Sequence, residues 1–156
     1  MDNSIARRIN REIITISRCI SYIRNIQFKK YNIGRGQHAF LTRIYENPGL
    51  NQEELSYMLK IDKTTVAKSL KRLEENGFIR KVKSQEDNRQ WLLYPTDKLI
   101  SIYHKLEDMI ISTCSNALAG FTDDESTELL ALLQRVKDNV NEDWKKVNQN
   151  QYIAYI

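Results

Sequence analysis

The sequence predicts a mainly α-helical fold with one small β-hairpin, in which a helix-turn-helix lies between long terminal helices. Three observations lead to this prediction: apolar residues recur at helical spacing near both ends, two short capped helix patterns occupy the middle, and two β-type runs follow them. The 156 residues include only five Gly and two Pro, which favours long uninterrupted helices. With 41% apolar and 28% charged residues, the chain can bury a core and does not have the composition of a disordered protein.

The first predicted element is a long helix with a stripe of isoleucines. They follow one another at steps of three or four residues, which keeps them on one side of an α-helix: Ile5, Ile9, Ile13, Ile16, Ile20, Ile23 and Ile26. About 22 residues at about 1.5 Å each give a helix of roughly 33 Å, too long for one small module to cover. We therefore expect residues 1–30 to form a dimerisation helix.

A second helix and the first helix of the helix-turn-helix follow. Residues 37–45 have a helical pattern that ends at Asn47-Pro48-Gly49, because a residue before Pro is disfavoured in the α region. Asn51 and Glu54 then form a capping-box pattern. The helix that they begin is expected to bury three side chains: Leu55, Met58 and Leu59.

After a turn of about three residues, Asp62 is placed to cap a further helix, from Lys63 to Asn76. Gly77 follows at the position where a helix end needs a positive φ. Two short strands come next, Phe78–Lys83 and Arg89–Tyr94, with the polar residues 84–88 as the hairpin tip and Pro95 ending the second strand.

The C-terminal part predicts two more helices. Thr96 is expected to cap a helix that runs to about Ala119 with an apolar side formed by Leu99, Ile102 or Tyr103, Leu106, Ile110, Cys114 and Ala117. Gly120 interrupts the pattern, and Thr122 with Glu125 forms a second capping box. The last helix has an apolar stripe that continues to the chain end and exceeds what a small core covers, which again predicts a dimer: Leu129, Leu132, Leu133, Val136, Val140, Trp144, Val147, Tyr152, Ile153 and Ile156.

The net charge of +4 is unevenly distributed. Residues 1–35 have a net charge of +6, residues 60–83 have +5, and residues 97–156 have −4. A basic segment beside an acidic one is typical of nucleic-acid-binding proteins, although ordinary helical surfaces also show it.

The helix from Lys63 has one apolar and one polar side. Val66, Leu70 and Leu73 share the buried side, and small hydroxyls and lysines share the other. This polar side suits the major groove of DNA through Lys63, Thr64, Thr65 and Lys68, with Lys71 and Arg72 placed for phosphate contacts. The alternative is a solvated helix face.

The hairpin also has features of a DNA-binding wing. Arg89 stands near the tip, and Asp87 is expected to orient its guanidinium because alternate residues of a strand share a face. An Arg in this place suits the narrow minor groove, and Arg80, Lys81 and Lys83 would contact phosphates. The alternative is a surface ion pair of little energetic value.

Together these residues resemble the MarR/SlyA family of bacterial transcriptional regulators. The similarity covers the helix-turn-helix of residues 51–77, the Asp87-x-Arg89 pair with Thr96 seven positions on, and Ile33-Gly34-x-x-Gln37 ahead of them. It implies a winged helix-turn-helix, residues 31–96, inside an intertwined homodimer completed by residues 1–30 and 97–156. It also implies double-stranded DNA as the partner, recognition by residues 63–68, and a wing contact by Asp87 and Arg89.

The family resemblance further implies a pocket for a small aromatic effector. Its lining is not readable from the sequence; the aromatic candidates are Tyr22, His38, Tyr45 and Tyr103, for each of which core packing is an alternative. Cys19 and Cys114 are expected to be inert buried thiols, not oxidant sensors. No metal site or cofactor is expected, because the two histidines, His38 and His104, have no ligand partners at metal-binding spacing.

Other function classes have weaker support. The chain has no catalytic triad pattern, no phosphate-binding Gly-rich loop and no recognisable carboxylate pair, so an enzyme is not expected. No segment suits a membrane span or a secretion signal, and two distant cysteines do not form a disulfide framework, which favours the cytoplasm. The leading hypothesis is a DNA-binding homodimeric repressor on a pseudo-palindromic site; the alternative is a winged-helix scaffold for protein interactions.

Overall fold

The computed structural model describes residues 3–149 and 153 and confirms the mainly α fold with a small antiparallel sheet. The predicted stripe residues Tyr152 and Ile156 lie outside the described residues. In chain order the elements are α1 (Asn3–Phe28), a short 3₁₀ helix (Lys29–Tyr31), α2 (Gln37–Glu46), β1 (Leu50–Asn51), α3 (Gln52–Leu59), α4 (Lys63–Glu75), β2 (Ile79–Lys83), β3 (Trp91–Pro95), α5 (Asp97–Ala117) and α6 (Asp123–Asn148).

The sheet has one strand more than the sequence analysis predicts. The strand order is β1-β3-β2, and both pairings are antiparallel, with Leu50 opposite Leu93 and Lys83 opposite Trp91. Strand β1 has only two residues, too few to show an alternating pattern. It connects the wing to the start of α3, since the amide of Gly49 donates to the carbonyl of Leu93 at 2.8 Å.

Both predicted capping boxes are present. The Asn51 side chain accepts hydrogen bonds from the amides of Glu53 and Glu54, and the Glu54 carboxylate accepts from the Asn51 amide. The Thr122 and Glu125 side chains form the same arrangement at the start of α6. These reciprocal bonds satisfy amides that have no partner within the helix, which explains why both helices begin where the sequence indicates.

The turn between α3 and α4 contains Lys60–Asp62 and closes without glycine. Lys60 adopts a left-handed conformation with φ of 57°, and the hydroxyl of the buried Ser56 donates to the carbonyl of Ile61 at 2.6 Å. Gly77 has the positive φ predicted for it, 73°. Met58, expected to be buried, is exposed, because the following turn leaves only Leu55 and, in part, Leu59 against the core.

Thr96 immediately precedes α5, and its side chain reaches back to the residues that follow α4. Its hydroxyl lies 2.6 Å from the carbonyl oxygen of Gly77 and 3.0 Å from that of Phe78. The Lys98 ammonium donates to the carbonyl of Asn76 at 2.7 Å. The start of α5 is therefore joined to the end of α4, where carbonyls lack partners within the helix.

The chain divides into two compact units, Met1–Thr113 and Cys114–Ile156. The first contains one apolar core, to which the end of α1, helices α2 to α5 and strands β2 and β3 contribute. Its fully buried side chains include Phe28, Leu41, Ile44, Leu55, Val66, Leu70, Leu73, Phe78, Leu93 and Leu99. The second consists of the end of α5 and helix α6, whose described residues include none that is buried. None of the described helices is both long and apolar enough to span a bilayer.

Candidate nucleic-acid interface

Helix α4 has the two sides that the sequence predicts. Val66, Leu70 and Leu73 are at most 1% exposed, and they fix the rotation of the helix about its axis. The polar side is exposed to solvent at Lys63, Thr64, Thr65, Lys68, Lys71 and Arg72. Packing therefore keeps this row of hydroxyl and cationic groups outside the core.

Two side chains at the start of α4 have local partners. The Asp62 carboxylate accepts from the side-chain hydroxyl of Thr65 at 2.6 Å and from its amide at 2.8 Å, and these bonds lower the pKa of Asp62. The Lys63 ammonium lies 2.6 Å from the Glu53 carboxylate, and this hydrogen bond holds the pKa of Glu53 below its usual range. Thr65 therefore stabilises the helix start, while Lys63 is in an open ion pair that a competing anion can replace.

Thr64 and Lys68 extend from the same side without a described hydrogen-bond or ion-pair partner. Lys71 lies 3.9 Å from Glu75 one turn further along α4. The amide side chain of Gln52 donates to the carbonyl of Lys63 at 3.2 Å, so α3 fixes the position at which α4 begins. This Gln52 contact was not predicted, because the sequence contains no distinctive signal for it.

The wing contains the other predicted cations in different settings. Lys81 is 27% exposed, and its ammonium lies 2.9 Å from the Glu74 carboxylate of α4, so this lysine holds the wing against the helix. The Arg80 guanidinium lies 4.8 Å from the Tyr94 ring centre, and Lys83 is exposed opposite Trp91. Trp91, which is 52% exposed, is a surface residue that the sequence analysis missed.

The expected contact between Asp87 and the Arg89 guanidinium is wrong. Asp87 accepts from the backbone amide of Arg89 at 2.9 Å, and the described ion pairs do not include these two residues. Both residues lie in the turn and not in a strand, so the rule that alternate residues share a face does not apply. Asp87 thus shapes the tip, and the exposed Arg89 side chain extends from it.

A buried serine completes the tip. The Ser84 hydroxyl accepts from the amides of Glu86 and Asp87 at 3.3 Å each, and the Ser84 amide donates to the carbonyl of Gln90 at 3.0 Å. Serine and aspartate commonly close turns through such bonds, a signal that could have identified Ser84 in the sequence. The tip has an internal hydrogen-bond network that presents Arg89.

The four aromatic effector candidates do not form one site. The rings of Tyr45 and Tyr103 stack on each other with centres 3.5 Å apart, and His38 packs against Phe28 at 5.4 Å. Burial and the nearby Arg24 lower the pKa of His38 to about 4, so its ring is neutral near pH 7. Tyr22 is 60% exposed on α1, which contradicts a core role for it in the single chain.

The prediction that both cysteines are buried is also wrong for the single chain. Cys19 and Cys114 are exposed. The isoleucine stripe of α1 beside Cys19 is largely uncovered, and Cys114 lies beyond the buried part of α5, which includes Leu99 and Leu106. Among the described residues, no group of three or more His, Cys, Asp or Glu side chains could hold a metal ion.

Comparisons with known proteins agree with this geometry. Residues 33–91 match the model of the MarR family. The chain is 42% identical over 147 residues to the uncharacterized HTH-type transcriptional regulator YybA of Bacillus subtilis, covering 92% of this chain and 98% of that protein. It is 31% identical over 115 residues to the HTH-type transcriptional regulator MgrA of Staphylococcus aureus, covering 74% of this chain and 77% of that protein.

A solved structure of a putative MarR family transcriptional regulator from Listeria monocytogenes, complexed with a 26mer DNA, has the same fold. The TM-score is 0.89 at 38% sequence identity, and the match covers 93% of this chain and 97% of that chain. The similarity extends well beyond the winged helix-turn-helix into the terminal helices.

Proposed function

Because the chain belongs to the MarR family of transcriptional regulators, we propose that it binds double-stranded DNA sequence-specifically, as a homodimer on a pseudo-palindromic site. Family membership confirms the resemblance found in the sequence. It also makes the chain a transcriptional regulator and not an enzyme. The Listeria relative, solved with DNA, supports DNA as the partner.

The exposed side of α4 is the observation that carries this proposal. Lys63, Thr64 and Lys68 lie at the start of a helix whose other side is held in the core. A helix N-terminus with hydroxyl and cationic side chains can contact base edges and phosphates in the major groove. Thr65 contributes by closing the first turn on Asp62.

The phosphate and wing contacts follow from the same orientation. We assign Arg89 to the minor groove and Lys71, Arg72, Arg80 and Lys83 to phosphates, which position a protein without reading sequence. Lys81 adds positive charge to this surface, although its ammonium is held by Glu74. The ion pair of Lys63 with Glu53 would open when the lysine contacts DNA.

A homodimer follows from the uncovered apolar side chains of α1 and α6. Isoleucines of α1 and leucines and valines of α6 are exposed in the single chain: Ile5, Ile9, Ile16, Ile23, Ile26, Leu130, Leu132, Leu133, Val136, Val140 and Val147. A second copy would bury them, and its two-fold symmetry would require half-sites about one helical turn, or a multiple of it, apart. A dimer can block a promoter with only a DNA-binding surface and a dimer surface, which supports action as a repressor.

Release by a small aromatic acid is the second part of the proposal. Tyr22 lines a cavity of about 590 Å³ together with Arg18 and Arg35. An aromatic ring beside two guanidinium groups suits an aromatic carboxylate. Tyr45 and Tyr103 have no space between their stacked rings, and His38 packs on Phe28. These three would therefore support the winged helix-turn-helix of residues 31–96, the DNA-binding lobe, and not contact the ligand directly.

The test is selection of bound duplexes from the genome, followed by fluorescence anisotropy at 50–200 mM salt. We expect affinity to fall steeply with salt, because Lys and Arg displace condensed counterions. Replacing Arg89 by Ala should reduce binding by roughly 1–3 kcal/mol and leave the dimer intact, whereas Lys105→Ala, on an exposed part of α5, should have little effect.

Unchanged affinity in the Arg89 variant would contradict the wing assignment. The absence of a salt-sensitive complex with any duplex would favour the protein-interaction scaffold instead. Derepression of a reporter after deletion of the gene would support a repressor, and loss of its expression would indicate an activator.

A further inference from the structure

A polar cavity of about 320 Å³ lies between the segment that follows α1 and the second half of α4. Three cationic side chains and one carboxylate line it: Lys29, Arg35, Arg72 and Glu75. Ser69 and Asn76 of α4 also line the cavity with polar groups. The two cavities share only Arg35 among their lining residues.

The charges around this cavity are unbalanced. Within the part of the chain that the structure describes, neither Lys29, Arg35 nor Arg72 has a carboxylate within ion-pair distance. Glu75 lies 3.9 Å from Lys71, which offsets part of its charge. Three cations and one carboxylate leave a net charge of +2, which complements a phosphate monoester, with a charge of about −1.5 to −2 at pH 7.

The segment that holds two of these cations is fixed by hydrogen bonds. The side-chain oxygen of the buried Gln37 accepts from the amide of Gly34 at 2.7 Å, and Gly34 accepts from the Gln37 amide at 3.1 Å. The Gly36 amide donates to the Asn25 side chain at 3.0 Å, and Ile33 is buried. On such a fixed backbone, only the side chains have to be ordered when a ligand binds.

We propose that this cavity binds a small phosphate-bearing ligand. Guanidinium groups from two separate elements, with an ammonium and nearby hydroxyl and amide groups, suit the several acceptor oxygens of a phosphate. The volume is at the small end for ligand pockets, which leaves space for a modest organic group. A bound ligand would join the end of α1 to α4.

A DNA phosphate is the other source of the same chemistry. Arg72 is also proposed for a DNA phosphate, but the other two cations, Lys29 and Arg35, lie on the segment that follows α1, outside the helix-turn-helix. The position of these two cations favours a free ligand over a DNA phosphate, and this preference rests on the proposed function. Direct binding of a phosphate-bearing ligand to the cavity does not depend on the proposed function.

The experiment titrates inorganic phosphate, and separately glycerol phosphate, into the DNA-free full chain by calorimetry, with ionic strength held constant by sodium chloride. We expect saturable binding. The matched variants are Lys29→Gln, which lines the cavity, and Lys30→Gln, its neighbour, which does not. Loss of one of three cations should raise the dissociation constant about fivefold, and the control should not change it.

Arg72→Gln is a second cavity variant, on α4, with the same expectation as Lys29→Gln. Absence of saturable binding, or equal effects in a cavity variant and its control, would overturn the proposal. So would Lys29→Gln leaving phosphate binding unchanged while lowering DNA affinity and its salt dependence, because the cavity would then serve a DNA phosphate. Phosphate binding by a chain that binds no DNA would support this site and contradict only the proposed function.

Discussion

Helices α4 and α6 are both amphipathic, but only α4 has its apolar side covered. Val66, Leu70 and Leu73 of α4 are at most 1% exposed, whereas Leu133 and Val140 of α6 are 44% and 62% exposed. The two helices begin at comparable side-chain caps, so local stability does not separate them. The difference shows that α4 completes its packing within one chain, while the apolar side of α6 is uncovered there, as the proposed dimer would explain.

The largest expected effect tests the covered helix. Leu73→Ala should lower the free energy of unfolding by about 3 kcal/mol, because it removes buried methyl groups and leaves a cavity in the core. Urea denaturation at low protein concentration measures this change. The matched variant Leu130→Ala, at a position that is 57% exposed, should change stability much less. Equal losses would contradict the contrast between the two helices.

The next prediction tests what covers α6. Leu133→Asp should raise the dimer dissociation constant about 100-fold, because it places a charge in a surface that the dimer takes out of water. Analytical ultracentrifugation over a range of concentrations measures the constant. Asn139→Asp, an exposed polar position on the same helix, is the control. A dimer that tolerates Leu133→Asp would show that another surface joins the copies.

The third prediction uses the pH dependence of stability to test the burial of His38. The pKa of His38 is lowered from 6.5 to about 4, first by burial and then by Arg24. Below pH 6.5 the unfolded chain binds a proton that the folded chain does not bind, so stability should fall as pH falls from 6.5 to 4. The ring is partly exposed, and we therefore expect a loss of about 2 kcal/mol and not the full value of the shift.

Denaturation at several pH values, with a matched pair of histidine variants, isolates this contribution. His38→Gln should remove part of the decrease, whereas His104→Gln, at an exposed position on α5, should retain it. The same decrease in all three proteins would assign the acid sensitivity to other groups.

The helices were predictable because capping residues and apolar spacing are local signals. Asn51, Asp62 and Thr122 mark helix starts, and each caps the helix that it precedes. The third strand was not predictable, since Leu50–Asn51 is too short to have a period and depends on pairing with β3. Local order was readable in the sequence, while pairing between distant segments was not.

The same distinction applies to the candidate site. The exposed side of α4 follows from helix geometry, so its residues could be listed in advance. The partners of Lys81 and Asp87 could not, because one depends on how the wing packs on α4 and the other on the conformation of the turn. Exposure of Cys19 was misjudged because an apolar stripe indicates a surface that will be covered, and not which chain covers it.

The smallest expected effect comes from removing the two capping boxes, one in the covered part of the chain and one at the start of the uncovered helix α6. Asn51→Ala removes the cap of α3, whose Leu55 is fully buried. The free energy of unfolding of the DNA-binding lobe should therefore fall by about 1 kcal/mol at every protein concentration.

Thr122→Ala removes an equivalent cap from α6, whose described residues include none that is buried. In a dilute monomer this loss should stay local, as faster hydrogen exchange in the first turn of α6. At concentrations where the dimer forms, α6 becomes covered, and the same substitution should lower the global stability by a comparable amount. If Thr122→Ala lowered global stability equally in the monomer, α6 would be part of the cooperative core of a single chain, and the uncovered stripe would no longer require a second copy.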